Sequence, residues 1–263
     1  MAGFFSMFPK VSYNFKPLGI NQNVVDIFRS ARNQGNFIDN PSAYGKYNIS
    51  NGDRPDIISQ KLYGTSDHYW TFFLINDFLN EGHTAWPMSQ ESLNEYIAKY
   101  FNGTTVETRP LLILDPDGLV TEYRNSLSGR FQLNEIVTGT LSGATGKVKS
   151  KNADLSQLTI SDVNGTFQEN ESILGSVSGD IVTAFKVYPE DISPTYWYKT
   201  GDANRRPVTP DTIIPDGVAR HLCSYVSTHE QIVETNDERS AIRVIDPAYI
   251  GDFIKQFKDI INV

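Results

Sequence analysis

One β-rich segment occurs twice in the second half of the sequence. FQLNEIVTGTLSG, residues 131–143, is echoed by FQENESILGSVSG, residues 167–179, with matches at Phe, Gln, Asn, Glu, Gly, Ser and Gly in register. Each copy alone is too small to bury its apolar face, so the two copies are expected to pair with each other. The duplication therefore predicts a small barrel or sandwich with Phe131 and Phe167 at equivalent core positions.

The duplicated segment lies in a region unlike the rest of the chain. Residues 130–187 are rich in Gly, Ser, Thr and Val with almost no helical periodicity, whereas helical patterns precede and follow them. A chain of 263 residues exceeds the usual single-domain size of about 100–150 residues. The sequence therefore indicates several units, with residues 127–187 as a β-domain inserted at a loop, where insertions are tolerated.

The first helical pattern lies near the N-terminus. An aromatic stretch, FFSMFPKVSYNF, is followed by VVDIFRSA, in which Val24, Ile27, Phe28 and Ala31 share one face at helical spacing. This spacing predicts a short amphipathic helix.

A strand and two helices are predicted within YNISNGDRPDIISQKLYG and HYWTFFLIND. A turn at Gly52 follows the strand, Asp53 is placed to cap the first helix, and Gly64 supplies a left-handed exit. Ser66 or Asp67 is expected to cap the second helix.

Three further features follow along the chain. Ser89 is placed to cap a third helix, and the runs LLIL and LVTEY flank the turn DPDG, which predicts a hairpin. Residues 195–217 are punctuated by prolines and indicate an extended, irregular arm.

The C-terminal region contains two patterns. Residues 231–234 and 241–245 are β-prone and predict a second hairpin, with a long helix as the competing interpretation. Asp246-Pro247 then starts a helix with a wide apolar stripe, which is formed by Ile250, Phe253, Ile254, Phe257 and Ile261.

Charge and composition argue against nucleic acid and membrane partners. Thirty-one acidic against 23 basic residues give a net charge of −8, and the best basic cluster is Arg205-Arg206. No apolar run approaches the ~20 residues of a membrane span, and no secretion signal is visible, so a soluble protein made without secretion is expected. Cys223 is the only cysteine, which excludes an intramolecular disulfide.

No catalytic or metal-binding pattern is apparent. The four histidines are scattered, and His221 with Cys223 lacks the further ligands that zinc requires. Neither a phosphate-binding loop nor a dinucleotide fingerprint occurs. The sequence therefore predicts no enzyme activity, no metal and no cofactor.

Aromatic and arginine side chains are instead candidates for protein interfaces, where they are enriched. In the second helix, Trp70 and Phe73 are expected to point into the core, which leaves Tyr69 and Phe72 for a partner. The candidate interface residues are Phe4, Phe5, Phe8, Phe28, Tyr69, Phe72, Trp86, Trp197, Tyr198, Arg205 and Arg206.

The strand, helix, turn and helix of residues 47–77, centred on GDRPDIISQKLYG, resemble the LysM module, which binds N-acetylglucosamine-containing glycans. Here WTFFLIND enlarges the second helix, and AWPMS stands where the LysM closing strand is expected.

A narrower resemblance rests on the order of several motifs. DIFRSARN, RPDIISQKLYG, YWTFFLIND, WPMSQE, WYKTGDANRRP and SAIRVIDPAYIGDFIKQFKDI follow one another. Together they resemble the small LysM-like baseplate wedge subunit of T-even-type contractile-tailed phages, the gene product 53 family, over residues 1–125 and 195–263. The family pattern does not require the duplicated β-unit.

The resemblance implies an α+β fold: a LysM-like helical unit, an inserted small all-β barrel or sandwich domain, and a C-terminal hairpin and helix. The expected organisation is an N-terminal arm and helix at 1–46, the LysM-like domain at 47–108, a hairpin at 109–126, the inserted domain at 127–187, an extended arm at 188–222, and the C-terminal hairpin and helix at 223–263.

The resemblance also implies a non-enzymatic structural protein of the virion, assembled in the host cytoplasm, that clamps neighbouring wedge subunits around the tail hub. Its partners would be other wedge proteins and hub-proximal tail proteins. Two alternatives stay open: a glycan-binding LysM module of a tail protein, and a cell-wall hydrolase that uses carboxylates such as Asp53 and Glu81.

Overall fold

A computed structural model describes residues 4–15, 20–27, 41–108, 111–114, 116–117, 120–124, 127, 129–210 and 218–262. The described chain is mixed α and β and divides into two compact units. Unit 1 comprises residues 1–92 and 235–263, and unit 2 comprises residues 93–234.

The described residues contain five α-helices and fifteen strands. The helices are α1 Pro55–Tyr63, α2 Trp70–Ile75, α3 Gln90–Tyr100, α4 Thr228–Ser240 and α5 Ile250–Ile261. The strands are β1 Lys10–Phe15, β2 Ile20–Val25, β3 Tyr44–Asn48, β4 Thr104–Thr108, β5 Leu111–Leu114, β6 Val120–Arg124, β7 Ile136–Gly139, β8 Thr145–Asn152, β9 Gln157–Asn164, β10 Ser172–Gly175, β11 Ile181–Pro189, β12 Pro194–Lys199, β13 Pro207–Val208, β14 Cys223–Ser227 and β15 Ala241–Ile245.

Unit 1 is built on a two-stranded antiparallel sheet whose strands lie far apart in sequence. β3 pairs with β15, from Ala241 opposite Asn48 to Ile245 opposite Tyr44. The partner strand of β3 therefore comes from near the C-terminus. The predicted second hairpin is wrong: residues 228–240 form helix α4, in line with the competing interpretation, and β15 finds its partner in β3.

Side chains from unit 1 also bond to the backbone of β15. The Asn76 amide accepts from the Arg243 N–H at 2.9 Å and donates to the Arg243 carbonyl at 2.9 Å. The Tyr63 hydroxyl donates to the Ile245 carbonyl at 3.0 Å and accepts from the Ile245 N–H at 3.2 Å. Burial, the main cause, raises the pKa of Tyr63 to about 12. These bonds fix β15 to the helical part of the unit.

The helix termini of unit 1 confirm some predicted caps and correct others. Gly64 ends α1 with φ 71°, as predicted, but the residue before α1 is Arg54, which makes no side-chain capping bond. The Asp53 carboxylate instead accepts from Lys61 at 3.0 Å. Thr65 is the residue that caps the turn before α2, by accepting from the N–H of Asp67 at 3.3 Å.

The N-terminal helix predicted around Val24 is wrong, because residues 20–25 form strand β2 and pair with β1. Val24 lies opposite Val11, so this β-branched residue pairs across two strands and does not contribute to the apolar face of a helix. Phe28 and Ala31, also assigned to that helix, lie outside the described residues.

The C-terminal helix is confirmed, although it begins at Ile250. Phe253, Phe257 and Ile261 of its predicted apolar stripe are buried in one cluster with Trp70. The second cluster of unit 1 contains Ile58, Phe72, Leu79, Ala85, Ile242 and Val244.

Unit 2 contains a closed six-stranded barrel in the order β10-β11-β4-β9-β8-β7. Phe131 and Phe167 are both buried in its core, as the duplication predicts. The barrel is not confined to residues 127–187, however, because β4, assigned to the LysM-like domain, pairs with both β11 and β9.

The duplication places one buried carboxylate in each half of the barrel, and each binds the hairpin turn of the other half. Glu171 accepts from the N–H groups of Leu141 at 3.1 Å and Ser142 at 2.9 Å, and from the Ser142 hydroxyl at 2.9 Å. Glu135 accepts equivalently from Val177 at 3.1 Å and from Ser178 at 3.0 Å. We call this reciprocal pair the carboxylate clasp.

The clasp explains why both repeats carry glycine at the same position. A Cβ atom added at Gly139 would lie 2.6 Å from both Glu171 carboxylate oxygens, and one added at Gly175 would lie 2.9 Å from a Glu135 oxygen. Only glycine leaves space for the opposite carboxylate. Both repeats therefore form the same hydrogen-bonded arrangement.

The remaining strands of unit 2 correct the predicted arm. Residues within 188–222 are not irregular throughout, because β12 lies between β13 and β14 in a three-stranded antiparallel sheet. Residues 211–217 of the arm lie outside the described residues. The hairpin around DPDG is confirmed, since β5 pairs with β6.

Candidate protein interfaces

The N-terminal phenylalanines form an aromatic cluster within unit 1. The Phe4 ring lies 5.1 Å from Trp70 and 5.9 Å from Phe257, and Phe8 lies 4.9 Å from Phe4. Phe8 is buried, whereas Phe5 keeps 53% of its surface exposed. Of these three predicted interface residues, Phe5 is thus the most exposed, although its ring also contacts Phe4 at 5.2 Å and Phe8 at 5.5 Å.

The β1–β2 hairpin has two chemically different faces. Val11 and Tyr13 lie on one face and are 42% and 55% exposed, and Val24 pairs with Val11 on that face. Ser12 lies on the opposite face, which also carries Val25, a residue packed against the unit 1 core. The apolar face therefore points away from the core, an orientation typical of a binding surface.

The sequence interpretation missed Val11 and Tyr13. Their alternation with Lys10, Ser12 and Asn14 in KVSYNF was the signal for a strand with one apolar face.

The aromatic residues of α2 divide differently from the prediction. Trp70 is buried at 5%, as expected, but Phe72 is fully buried at 0% and cannot reach a partner from this position. Phe73 and Tyr69 are half-buried at the edge of the core. The interface assignment of Phe72 is therefore wrong, because α2 turns this ring towards Ile58 and Leu79 in the second core cluster.

Trp86 has a structural role in unit 1. Its indole N–H donates to the Asp53 carbonyl at 2.9 Å, and its ring lies 5.6 Å from Phe73. This bond holds the turn before α1, and the half-buried ring leaves only part of its surface for a partner.

The predicted interface residues of unit 2 lie around the three-stranded sheet. Trp197 is buried at 7%, and the Arg220 guanidinium lies 4.5 Å from its ring centre. Arg205 is held by Glu230 at 3.0 Å and by Glu234 at 2.5 Å, beside the half-buried ring of Tyr198. Burial thus makes Trp197 a core residue.

Arg206 is the most exposed of the predicted unit 2 residues. Its side chain is 77% exposed and bonds to Asp202 at 3.1 Å. Exposed pairs of this kind are weak, at about 0–1 kcal/mol, so Arg206 can exchange this partner for another.

A partly buried ion pair in unit 2 was not predicted from the sequence. Arg220 donates to both carboxylate oxygens of Glu107, at 2.6 and 2.7 Å. Glu107 lies on the barrel strand β4 and Arg220 precedes β14, so this bidentate pair ties the barrel to the three-stranded sheet. A pair so distant in sequence leaves no local signal.

A cavity of about 350 Å³ lies within unit 1. Its polar lining includes Asn51, Gln90, Asn236 and Ser240, and Pro87 and Met88 add apolar surface. The Asn236 amide bonds to both the N–H and the carbonyl of Met88, at 2.7 and 3.1 Å, which fixes this wall.

Among the residues that the structure describes, no cluster of three or more His, Cys, Asp or Glu side chains could hold a metal ion. Burial raises the pKa of the Cys223 thiol, which disfavours the reactive thiolate. None of the described helices combines the length and apolar character needed to cross a membrane.

In a comparison with known families, residues 3–107 match the family described as base plate wedge protein 53. The match contains the N-terminal phenylalanines, the β1–β2 hairpin and α1–α3, and it ends within β4. No curated protein matches the chain.

Proposed function

We propose that this chain is a structural subunit of the baseplate wedge in a contractile phage tail, where it clamps neighbouring wedge subunits around the hub. The match of residues 3–107 to base plate wedge protein 53 carries this proposal. Other wedge proteins and hub-proximal tail proteins would be its partners. The chain would act by binding and would be incorporated into the virion after assembly in the host cytoplasm.

The hairpin supplies the surface that such a clamp requires. A two-stranded hairpin is marginally stable by itself in water, so it gains stability when a partner covers it. The apolar face of β1–β2, with Val11 and Tyr13, lies inside the segment that matches the wedge family. Together with Phe5 it provides apolar and aromatic contacts of the kind that dominate protein interfaces.

A matched pair of variants tests this surface. Val11→Asp places a carboxylate on the apolar face, and Ser12→Asp places the same group on the opposite face of the same strand. We expect Val11→Asp to reduce incorporation into baseplates at least about tenfold, because the buried charge would cost 1.4 kcal/mol or more at the contact. Complementation of phage that lack the chain, followed by quantification in purified baseplates, measures the effect.

The Ser12→Asp control shows whether a loss of incorporation is specific to the apolar face. Ser12→Asp should be incorporated nearly as well as the unmodified chain, and both variants should melt at similar temperatures. Equal incorporation of the two variants would contradict a clamp that uses the apolar face of the hairpin.

A second candidate function is binding of a peptidoglycan-type glycan by a LysM-like module. The polar cavity of unit 1 favours it, because amide and hydroxyl groups beside Pro87 and Met88 can bind sugar hydroxyls and cover a sugar ring. Titration with chitooligosaccharides tests this function. Saturable binding at millimolar concentration or tighter that is lost in Asn236→Ala would support glycan binding. The absence of saturation would contradict it.

A further inference from the structure

Strand β3 of unit 1 has one open edge. Among the described residues, β3 pairs only with β15. On β15, the backbone N–H and C=O groups of Arg243 bond to the side chain of Asn76, so they point away from β3. Lys46 lies opposite Arg243, and opposite residues in an antiparallel pair either both bond across it or both point away from it. The backbone groups of Lys46, and of Asn48 two residues further on, therefore point away from β15.

The backbone groups at this edge are available to another strand. No described residue bonds to the N–H or C=O groups of Lys46 or Asn48, and both side chains are exposed. The other edge of the sheet is closed, because the side chains of Asn76 and Tyr63 bond to the backbone of β15. Unpaired N–H and C=O groups along a strand are a template for the addition of a further strand.

The open edge carries two like charges on one face of the sheet. Lys46 and Arg243 lie opposite each other at a position without cross-strand hydrogen bonds, where opposing side chains approach most closely. Both side chains are exposed, and neither forms an ion pair with a described residue. The Arg243 guanidinium donates to the Ile75 carbonyl at 2.9 Å and lies 5.8 Å from the Tyr44 ring, which are both neutral partners. Like charges directly opposite each other destabilise a sheet, so a carboxylate from a partner would be favoured here.

We propose that an extended acidic segment of another protein adds to β3 as a third strand. Main-chain hydrogen bonds to Lys46 and Asn48 would hold the segment along the edge, which is a recurring mode of peptide recognition. The segment's residue opposite Lys46 would lie on the same face of the sheet as Lys46 and Arg243, so a glutamate or aspartate there meets both cations. A second copy of this chain fits less well. In the register that uses the whole edge, pairing of β3 with β3 across a two-fold axis would place Lys46 of each copy opposite the other.

A synthetic β-prone peptide with a central glutamate tests the proposal on the purified full chain. Its binding should saturate at millimolar concentration or tighter. The same peptide with lysine in place of the glutamate should bind at least about threefold more weakly, because it places a like charge opposite Lys46. Lys46→Glu should abolish this preference. Lys255→Glu, which makes the same charge change at an exposed position of α5, should leave the preference unchanged.

Hydrogen exchange distinguishes strand addition from simple attraction between charges. With the glutamate peptide bound, the N–H groups of Lys46 and Asn48 should exchange several-fold more slowly, because they would donate to the added strand. The absence of saturable binding, equal affinity for the two peptides, or unchanged exchange at both N–H groups would overturn the proposal. It would equally be overturned if these N–H groups became protected at high concentration of the chain alone, since a second copy would then occupy the edge. These experiments need no baseplate, so their result is separate from the test of the wedge function.

Discussion

Glu171→Ala should destabilise the barrel by about 3–5 kcal/mol. The Glu171 carboxylate is fully buried and accepts hydrogen bonds from the N–H groups of Gln168, Leu141 and Ser142 and from the Ser142 hydroxyl. Alanine would leave these donors without their acceptor, and each buried unsatisfied group costs about 1–3 kcal/mol. Hydrogen exchange of barrel peptides in the full chain measures the loss within unit 2.

The matched control lies two residues away. Glu169 forms an exposed pair with Lys186, with both side chains 44% exposed, and Glu169→Ala should cost less than about 1 kcal/mol. If Glu171→Ala were as mild as Glu169→Ala, the carboxylate clasp would not stabilise the barrel.

The clasp also makes the barrel sensitive to acid. Burial raises the pKa of Glu171, but hydrogen bonds from Gln168, Ser142 and Leu141 outweigh it and hold the pKa below the ordinary value of 4.5. Glu135 behaves in the same way. A carboxyl with a lowered pKa in the folded state stabilises the fold above pH 4.5, and this contribution is lost as the pH falls through the folded pKa. Replacing both residues by glutamine should remove this part of the pH dependence.

Trp70→Ala should destabilise unit 1 by about 3–5 kcal/mol, the usual cost of truncating a large buried aromatic residue. The indole is 5% exposed and lies 4.6 Å from the Phe257 ring and 5.1 Å from the Phe4 ring. Its removal would open a cavity between α2, α5 and the N-terminal segment. Hydrogen exchange of α2 and α5 peptides, compared with barrel peptides in the same sample, measures the effect.

The control for Trp70 is Phe78, an aromatic residue of unit 1 that is 44% exposed. Phe78→Ala should cost less than about 1 kcal/mol. If exchange in α5 were unchanged by Trp70→Ala, the packing of this helix against Trp70 would not contribute to stability.

Local sequence patterns were sufficient for several elements. The apolar stripe of α5, the left-handed Gly64 and the β5–β6 hairpin each depend on residues close in sequence. The duplication predicted the equivalent core positions of Phe131 and Phe167, because a repeated unit repeats its burial pattern.

Long-range pairing was not predictable from the sequence. β15 completes the sheet of unit 1 with β3, and β4 completes the barrel although the β5–β6 hairpin separates it from the repeats. Both β15 and β4 could have paired with strands close to them in sequence. Whether such a strand forms a local hairpin or joins a distant strand is decided by long-range contacts. For this reason the sequence did not show that β4, which lies outside the predicted insertion at residues 127–187, belongs to the same barrel.

The sequence predicted which kinds of residue form the candidate interface, but not which of their side chains are exposed. Aromatic content indicated a binding surface near the N-terminus, yet the short helix α2 buries Phe72, and the strand β1 exposes Val11 and Tyr13. Which side of a short element meets the core depends on the partner elements, and their positions are set by the distant strand β15.

The wedge function is tested most directly by quantitative mass spectrometry of purified virions and detached baseplates. The proposed function predicts that this chain is present in both, at about six copies per baseplate or a multiple of six, as cyclic symmetry requires. Absence of the chain from virions and baseplates would contradict it.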